Sequence, residues 1–191
     1  MTPAPFRSGP RVAPTERVRS YARVLVRAGL LDDAAVLSEV RAAAHEDVGG
    51  DAERLAADAV DAARRELALD QESWSSPTDL DRLGDAFDEL SANGIVVLRA
   101  VEDHWAATAE LTRRDESGER VAGIMWFTPA DVWHAVEHAM LEVNLWHGDS
   151  ANVAAGDALL AGALEILRRH GLAARFDEGR IEVAVRWEQR R

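Results

Sequence analysis

The sequence predicts an α+β fold in which a helical N-terminal region precedes a mixed sheet of about five strands. Apolar residues recur at three- and four-residue spacing over most of residues 15–93, which is typical of amphipathic helices. After Gly94, continuous and alternating apolar runs that are typical of strands alternate with helical patterns. Apolar residues make up 47% of the chain, which is enough to form a core.

The pattern divides the chain into a tail, a helical region and an α+β unit. Residues 1–14 hold four of the six prolines and lack periodicity, so we expect a loose tail. Residues 15–93 are expected to form about four helices, and residues 94–191 the α+β unit. At 191 residues the two regions are expected to pack together as one domain.

Helix signals in the first region are local and specific. Thr15 can cap the first helix, and Thr78 with Asp81 three residues later resembles a capping box for the fourth. The third helix is rich in alanine, which has high helix propensity and permits close packing. The four helices are predicted at about 15–29, 32–47, 51–71 and 78–93.

Strand signals begin at Ile95, in a short β-prone run that suits a strand buried on both faces. Thr128-Pro129 predicts a helix start, because proline suits the first helical position. Glu178-Gly179 predicts the turn of a terminal hairpin. The elements are predicted at about 95–98 (β), 103–114 (α), 121–127 (β), from 128 (α), 141–146 (β), 160–171 (α), 172–176 (β) and 180–187 (β), in the order β-α-β-α-β-α-β-β.

The composition excludes several chemistries. The chain contains no cysteine, so disulfides, thiolate zinc sites and cysteine nucleophiles are excluded. It has no run of about 18 apolar residues, and its first residues lack the apolar segment of a signal peptide. We therefore expect a cytoplasmic protein with no membrane association. All 22 basic residues are arginine, which is typical of GC-rich bacterial genomes.

The charge of the chain is strongly negative and unevenly distributed. A formal charge of −12 repels phosphate backbones, so nucleic acid is not an expected partner. Residues 1–31 carry six arginines against one acid, Glu16, and form a basic segment. This segment either docks on the acidic helices that follow it or binds an acidic partner, and the first alternative is favoured.

Two histidines and a glutamate in one predicted helix fit the H-x-x-E-H pattern of inverted zinc peptidases. His134 and His138 are four residues apart and share a helix face, where they could hold one zinc ion. Glu137 would then act as general base on zinc-bound water. That peptidase family supplies its third ligand well downstream, and we expect the 53 residues after His138 to be too few. Ordinary histidines on the flank of a helix are the favoured interpretation.

His147, Asp149 and Ser150 supply the residue types of a nucleophilic triad. They are adjacent in sequence, which is not the geometry that a triad requires, and no nucleophile elbow surrounds the serine. The segment is more simply predicted to join a strand to a helix, with Ser150 or Asn152 as the helix cap.

Six tryptophans against one tyrosine are unusual, and core packing is the simplest explanation for most of them. Trp146 and Trp187 differ from the rest, because Trp146 falls on the polar side of its strand and Trp187 lies close to residue 191. If exposed, they would mark a contact, since tryptophan is enriched among interface hot spots. Together with His147, they are the predicted binding residues.

The chain resembles a bacterial family described only as a domain of unknown function. The similar features are the residues that lead into Gly94-Ile95-Val96, the strand that ends at Trp126-Phe127, and the closing hairpin up to Trp187. Many members have a cysteine-rich stretch after the first strand, where this chain has Glu102-Asp103-His104-Trp105. The resemblance implies the architecture and no reaction.

The sequence therefore predicts a non-catalytic binding or regulatory protein that contacts a protein partner or a small ligand. The alternative is a metal-dependent hydrolase with zinc on His134 and His138 and Glu137 as base. A homo-oligomer is compatible with both interpretations, and neither the ligand nor the partner is defined by the sequence.

Overall fold

The computed structural model describes residues 12–190. Most of the predicted tail, residues 1–11, lies outside the described residues. Residues 12–190 contain seven helices and five strands, which confirms the α+β class and the element order predicted after Gly94. None of the helices in this range is long and apolar enough to span a bilayer. The elements are α1 (Pro14–Ala28), α2 (Asp33–Asp47), α3 (Ala52–Gln71), α4 (Asp79–Ala92), β1 (Ile95–Leu98), α5 (His104–Glu116), β2 (Gly123–Trp126), α6 (Pro129–His138), β3 (Met140–His147), α7 (Ala158–Arg169), β4 (Ala174–Asp177) and β5 (Arg180–Ala184).

The described chain forms two compact units. The first contains residues 12–26 and 31–69, and the second contains residues 27–30 and 70–190. Small side chains fill the first unit, because the alanines of α3 permit close helix packing. At its surface the Arg17 guanidinium donates two hydrogen bonds to the Asp47 carboxylate, at 2.5 and 3.1 Å. This bidentate contact lowers the pKa of Asp47.

The second unit is built on a five-stranded mixed sheet with the strand order β1-β2-β3-β5-β4. β1 and β2 are parallel, because α5 connects them, and the other neighbours are antiparallel. The turn of the last hairpin is the predicted Glu178-Gly179, where both residues have positive φ. β3 lies at the centre of the sheet and ends at His147.

Most of the core lies on one face of the sheet. Alternate residues of β3 point to this face, and α4, α6 and α7 cover it with apolar side chains. Phe87 of α4 stacks on Phe127 with ring centroids 6.0 Å apart. The most deeply buried residues of this core include Leu90, Val132, Leu141, Val143, Ala163, Leu167, Ile181 and Val183.

The opposite face is covered by α5 over β1 and β2. Ala107 and Leu111 of α5 pack on Ile124 and Trp126 of β2. This second face carries charged side chains over the other strands, where Glu142 and Glu182 lie directly opposite each other. Their like charges are compensated, since Glu142 pairs with Arg180 and Glu182 with Arg175.

The helix starts follow the predicted capping residues closely, with two exceptions. The cap predicted for α1 is wrong, because the helix begins at Pro14 and Thr15 lies inside it. Thr78 and Thr128 both form reciprocal capping boxes with an aspartate three residues later. The cap predicted for α7 is wrong, because Asp157 occupies the N-cap position instead of Ser150 or Asn152. The intervening chain pairs with β3 instead, through an antiparallel bridge between Trp146 and Asn152.

Candidate functional site

A cleft of about 650 Å³ opens beside the end of β3. One wall is the C-terminal half of α5, and the other is the turn from His147 to Ser150. Residues 119–122, which lead into β2, form the floor. We call this feature the α5 cleft, and its polar lining residues are Thr108, Thr112, Asp115, Glu119, Arg120, His147, Asp149 and Ser150.

His147 is held in this cleft by Asp157. Its Nε2 lies 3.1 Å from Asp157 Oδ2, and the same oxygen accepts a 2.7 Å hydrogen bond from the backbone N–H of Ala154. The Ala154 hydrogen bond, followed by the contact with His147, lowers the pKa of Asp157 below its ordinary value. Asp157 is therefore ionised at neutral pH, and its charge fixes the orientation of the imidazole.

The turn after His147 has a fixed backbone. Ser150 donates its backbone N–H to the carbonyl of His147 at 2.9 Å, and Asp149 Oδ1 accepts the N–H of Ala151 at 3.1 Å. Gly148 packs closely against the chain leading into β2. A Cβ at this position would collide with the carbonyl oxygen of Val121, so a side chain does not fit there. Ser150 has a φ of +67°, a left-handed conformation that is uncommon outside glycine.

Most of the polar groups of the cleft accept hydrogen bonds. Three carboxylates line it, against one guanidinium, that of Arg120. The hydroxyls of Thr108 and Thr112 donate to carbonyls of their own helix, at 3.2 and 3.0 Å, so their remaining capacity is that of acceptors. The cleft is thus complementary to a ligand that donates hydrogen bonds and carries positive charge.

The predicted binding residues do not form one site. Trp146 is half-buried on the α5 side of the sheet and packs edge-on against Trp126, with ring centroids 5.4 Å apart. Trp187 packs edge-on against Phe127 on the opposite side, and its Nε1 donates to the carbonyl of Ala28 at 3.1 Å. Of the three predicted residues, His147 lines the α5 cleft and Trp187 lines a separate pocket.

Sequence reasoning missed Trp105, which is the most exposed tryptophan of the described chain, with 64% of its surface accessible. It lies in the first turn of α5, and its ring is 4.5 Å from that of His104, centroid to centroid. The centroid of the His104 ring in turn lies 6.5 Å from that of the Trp146 ring. A signal was present in the sequence, because the buried stripe of α5 contains Ala107 and Leu111 and leaves Trp105 on another face.

The histidines of the H-x-x-E-H segment lie together on α6. The rings of His134 and His138 are 4.4 Å apart, centroid to centroid, and Glu137 is exposed. Within residues 12–190 no group of three or more histidines, aspartates or glutamates is placed to hold a metal ion. The metal-dependent hydrolase stays a prediction that rests on the sequence pattern.

His147, Asp149 and Ser150 do not form the contacts of a nucleophilic triad. His147 contacts Asp157 instead of Asp149, and the carboxylate of Asp149 accepts the backbone N–H of Ala151. The structure thus brings His147, at the end of β3, into contact with Asp157, which precedes α7 and lies ten residues later in the sequence.

Comparison with other proteins identifies a family, but it finds no protein whose known activity could be compared with this chain. A family model described as a domain of unknown function, DUF6891, matches residues 12–191. No curated protein and no solved structure matches the chain.

Proposed function

The chain belongs to the DUF6891 family, and because that description names no activity, we propose a function from the chain's own residues. We propose a non-catalytic binding protein that takes a small, positively charged ligand in the α5 cleft. The carrying observation is a cleft of ligand size in which His147 is held by Asp157.

The size and construction of the cleft support this proposal. Sites for small molecules commonly enclose about 300–1,000 Å³ and place a few fixed polar groups in their walls. The α5 cleft has a volume of about 650 Å³. One wall is the helix α5, and the other is a turn whose backbone is fixed by hydrogen bonds at the end of β3, so the polar groups of both walls are in place before a ligand arrives.

The charge of the lining selects the ligand class. Asp115, Glu119 and Asp149 outnumber Arg120, on a chain whose formal charge is −12. An ammonium group can donate to these carboxylates and to the threonine hydroxyls. Glu119 is already paired with Arg114, so Asp115 and Asp149 are the acids of the lining that repel an anion most directly.

Isothermal titration calorimetry with putrescine, and with 1,4-butanediol as its neutral counterpart, tests the proposal. Putrescine should bind and butanediol should not, and Asp115→Asn should weaken putrescine binding by about three- to tenfold. Asp85→Asn is the matched control, because Asp85 is an exposed acid of α4 outside the cleft. Equal affinities for the two probes, no binding of putrescine, or an equal effect of the two substitutions would overturn the proposal.

A second candidate function is a protein contact centred on Trp105. An exposed tryptophan whose ring is tilted against that of His104, close to half-buried Trp146, has the form of an interface anchor. A second copy of this chain is the partner that can be tested directly. Light scattering should then report a dimer that Trp105→Ala converts to a monomer, while Leu69→Ala, at a residue of similar exposure, leaves the dimer intact. A monomeric wild-type protein would refute self-association.

We further propose that this protein acts in the bacterial cytoplasm. The support for a bacterial origin is that all 22 basic residues are arginine, which is typical of GC-rich bacterial genomes. The support for the location is that the sequence has no run of about 18 apolar residues. Immunoblotting of fractionated cells tests the location, and recovery from the membrane or the medium would contradict it.

A further inference from the structure

A second, smaller pocket lies on the face of the sheet opposite α5. Its volume is about 200 Å³, and it lies among α4, the residues after β1 and the chain around Trp187. Most of its wall is apolar, from Leu30, Leu80, Leu83, Phe87, Phe127 and Trp187. We call it the Trp187 pocket.

The aromatic wall of this pocket is rigid. Phe87 and Phe127 are each only 2% exposed, and their rings stack at 6.0 Å. Trp187 meets Phe127 at 78° and 6.4 Å, and its Nε1 is anchored on the carbonyl of Ala28. Phe87 and Phe127 thus form a fixed, buried base beneath the pocket, and half-buried Trp187 is the ring that a flat apolar group can contact without reordering it.

The polar end of the pocket carries positive charge. Arg99 is the only charged residue among the ten described residues that line it. Its guanidinium lies 5.0 Å from the centroid of the Phe87 ring, and its carboxylate partner Asp88 is distant, at 3.9 Å. A cationic pocket is exceptional on a chain of charge −12, and it leaves Arg99 available to an anion.

Gln189 lies at the same pocket and has an unsatisfied amide. Its Oε1 is buried and has no hydrogen-bond partner among the described residues. The terminal torsion of a glutamine is soft, so the amide can turn its NH₂ toward a bound acceptor without breaking a hydrogen bond of its oxygen. Arg99 and Gln189 together supply donors suited to a carboxylate.

We propose that the Trp187 pocket binds a small aromatic carboxylate, with its ring against Leu80 and Trp187 and its carboxylate at Arg99. The volume of about 200 Å³ limits the ligand to a single ring with a short substituent. For comparison, an apolar cavity of about 150 Å³ engineered in another protein binds benzene, so a pocket of this size can hold a single ring. This site is separate from the α5 cleft and binds the opposite charge.

Benzoate and its neutral counterpart benzamide are the probes, with binding followed by calorimetry and by tryptophan fluorescence. Benzoate should bind about two- to fivefold more tightly than benzamide, because only benzoate pairs with Arg99, whose half-exposed side chain is screened by solvent. Arg99→Gln should remove this preference. Arg168→Gln, at an exposed arginine of α7 outside the pocket, should preserve it.

Gly84→Leu is designed to block the pocket. Gly84 lies in α4 at the pocket wall, and a Cβ added there meets nothing within 4 Å, so we expect the longer leucine side chain to extend into the open space. Leucine also has a higher helix propensity than glycine, so the variant should fold. Gly162→Leu is the matched control in α7, where the surroundings are equally open.

Loss of benzoate binding in Gly84→Leu, with binding kept in Gly162→Leu and both helical by circular dichroism, supports the site. Undiminished binding in Gly84→Leu places benzoate elsewhere and overturns the proposal. Equal affinity for benzoate and benzamide overturns the carboxylate class, and no benzoate binding at about 10 mM overturns the site itself.

Discussion

Gly123 of β2 lies where no side chain fits, so Gly123→Ala should destabilise the second unit. A Cβ there would lie 2.5 Å from the backbone oxygen of Trp146 and 2.8 Å from Cδ2 of Leu159, closer than the 3.0 Å limit that real Cβ atoms respect. The leucine methyl can turn aside, but the oxygen belongs to β3, where His147 pairs with Gly123. The two strands must separate by about half an ångström, and we expect a loss of about 2–3 kcal/mol in the free energy of unfolding.

Urea unfolding followed by tryptophan fluorescence measures this change. Gly162→Ala is the matched control, because its added Cβ lies in α7 and meets nothing within 4 Å. There the substitution should raise the free energy of unfolding by about 0.5–1 kcal/mol, since alanine is the better helix former. A Gly123→Ala variant as stable as the wild type would refute the steric reasoning.

Leu141→Ala removes a fully buried side chain of β3 and should lower the free energy of unfolding by about 2–5 kcal/mol in the same urea titration. A loss under about 1 kcal/mol would contradict this, since it would mean that the core closes around the smaller side chain. Thr78→Ala removes the capping oxygen of α4 and should lower the thermal midpoint, at a cost of about 1 kcal/mol, whereas Thr78→Ser should retain most of the stability. Hydrogen bonds from Arg113 and then Arg114 lower the pKa of Glu110 from 4.5 to about 2, so its ionised form stabilises the folded chain above pH 4.5, and this stabilisation is lost as the pH falls toward 2. Solvent screens these pairs, so Glu110→Gln should cost only about 1 kcal/mol at neutral pH and less near pH 3, and an equal cost at both pH values would contradict the assignment.

The elements with local signals were predictable from the sequence. The capping box at Thr78 needs only two residues three positions apart, and the turn at Glu178-Gly179 needs only a residue that tolerates positive φ beside a glycine. The start of α7 was not predictable in this way. Its position depends on the pairing of Asn152 with Trp146, an interaction across the sheet edge that a local pattern cannot report.

The composition of the candidate site was predictable only in part. His147 could be singled out from its place at the end of a strand, but its partner could not, since Asp149 and Asp157 are equally plausible in the sequence. The turn engages Asp149 locally, and the path of the loop returns Asp157 to the imidazole. Trp187 was predicted as a contact residue, while the cation beside it, Arg99, is distant in sequence and joins it only in the folded chain.

The two-sided pairing of β2 has a consequence for hydrogen exchange. β3 is hydrogen-bonded to β2 over residues 144–147 and to β5 over residues 140–143, so each half of β3 is paired with another strand along one edge, whereas all of β2 is paired along both edges, with β1 and with β3. The amide hydrogens of β2, whose four residues are buried, exchange with water only when the sheet opens, whereas β1 and β4, which end the strand order, can exchange through smaller local fluctuations. His147 thus pairs, through Gly123, with the strand whose deuterium uptake should be the slowest of the sheet.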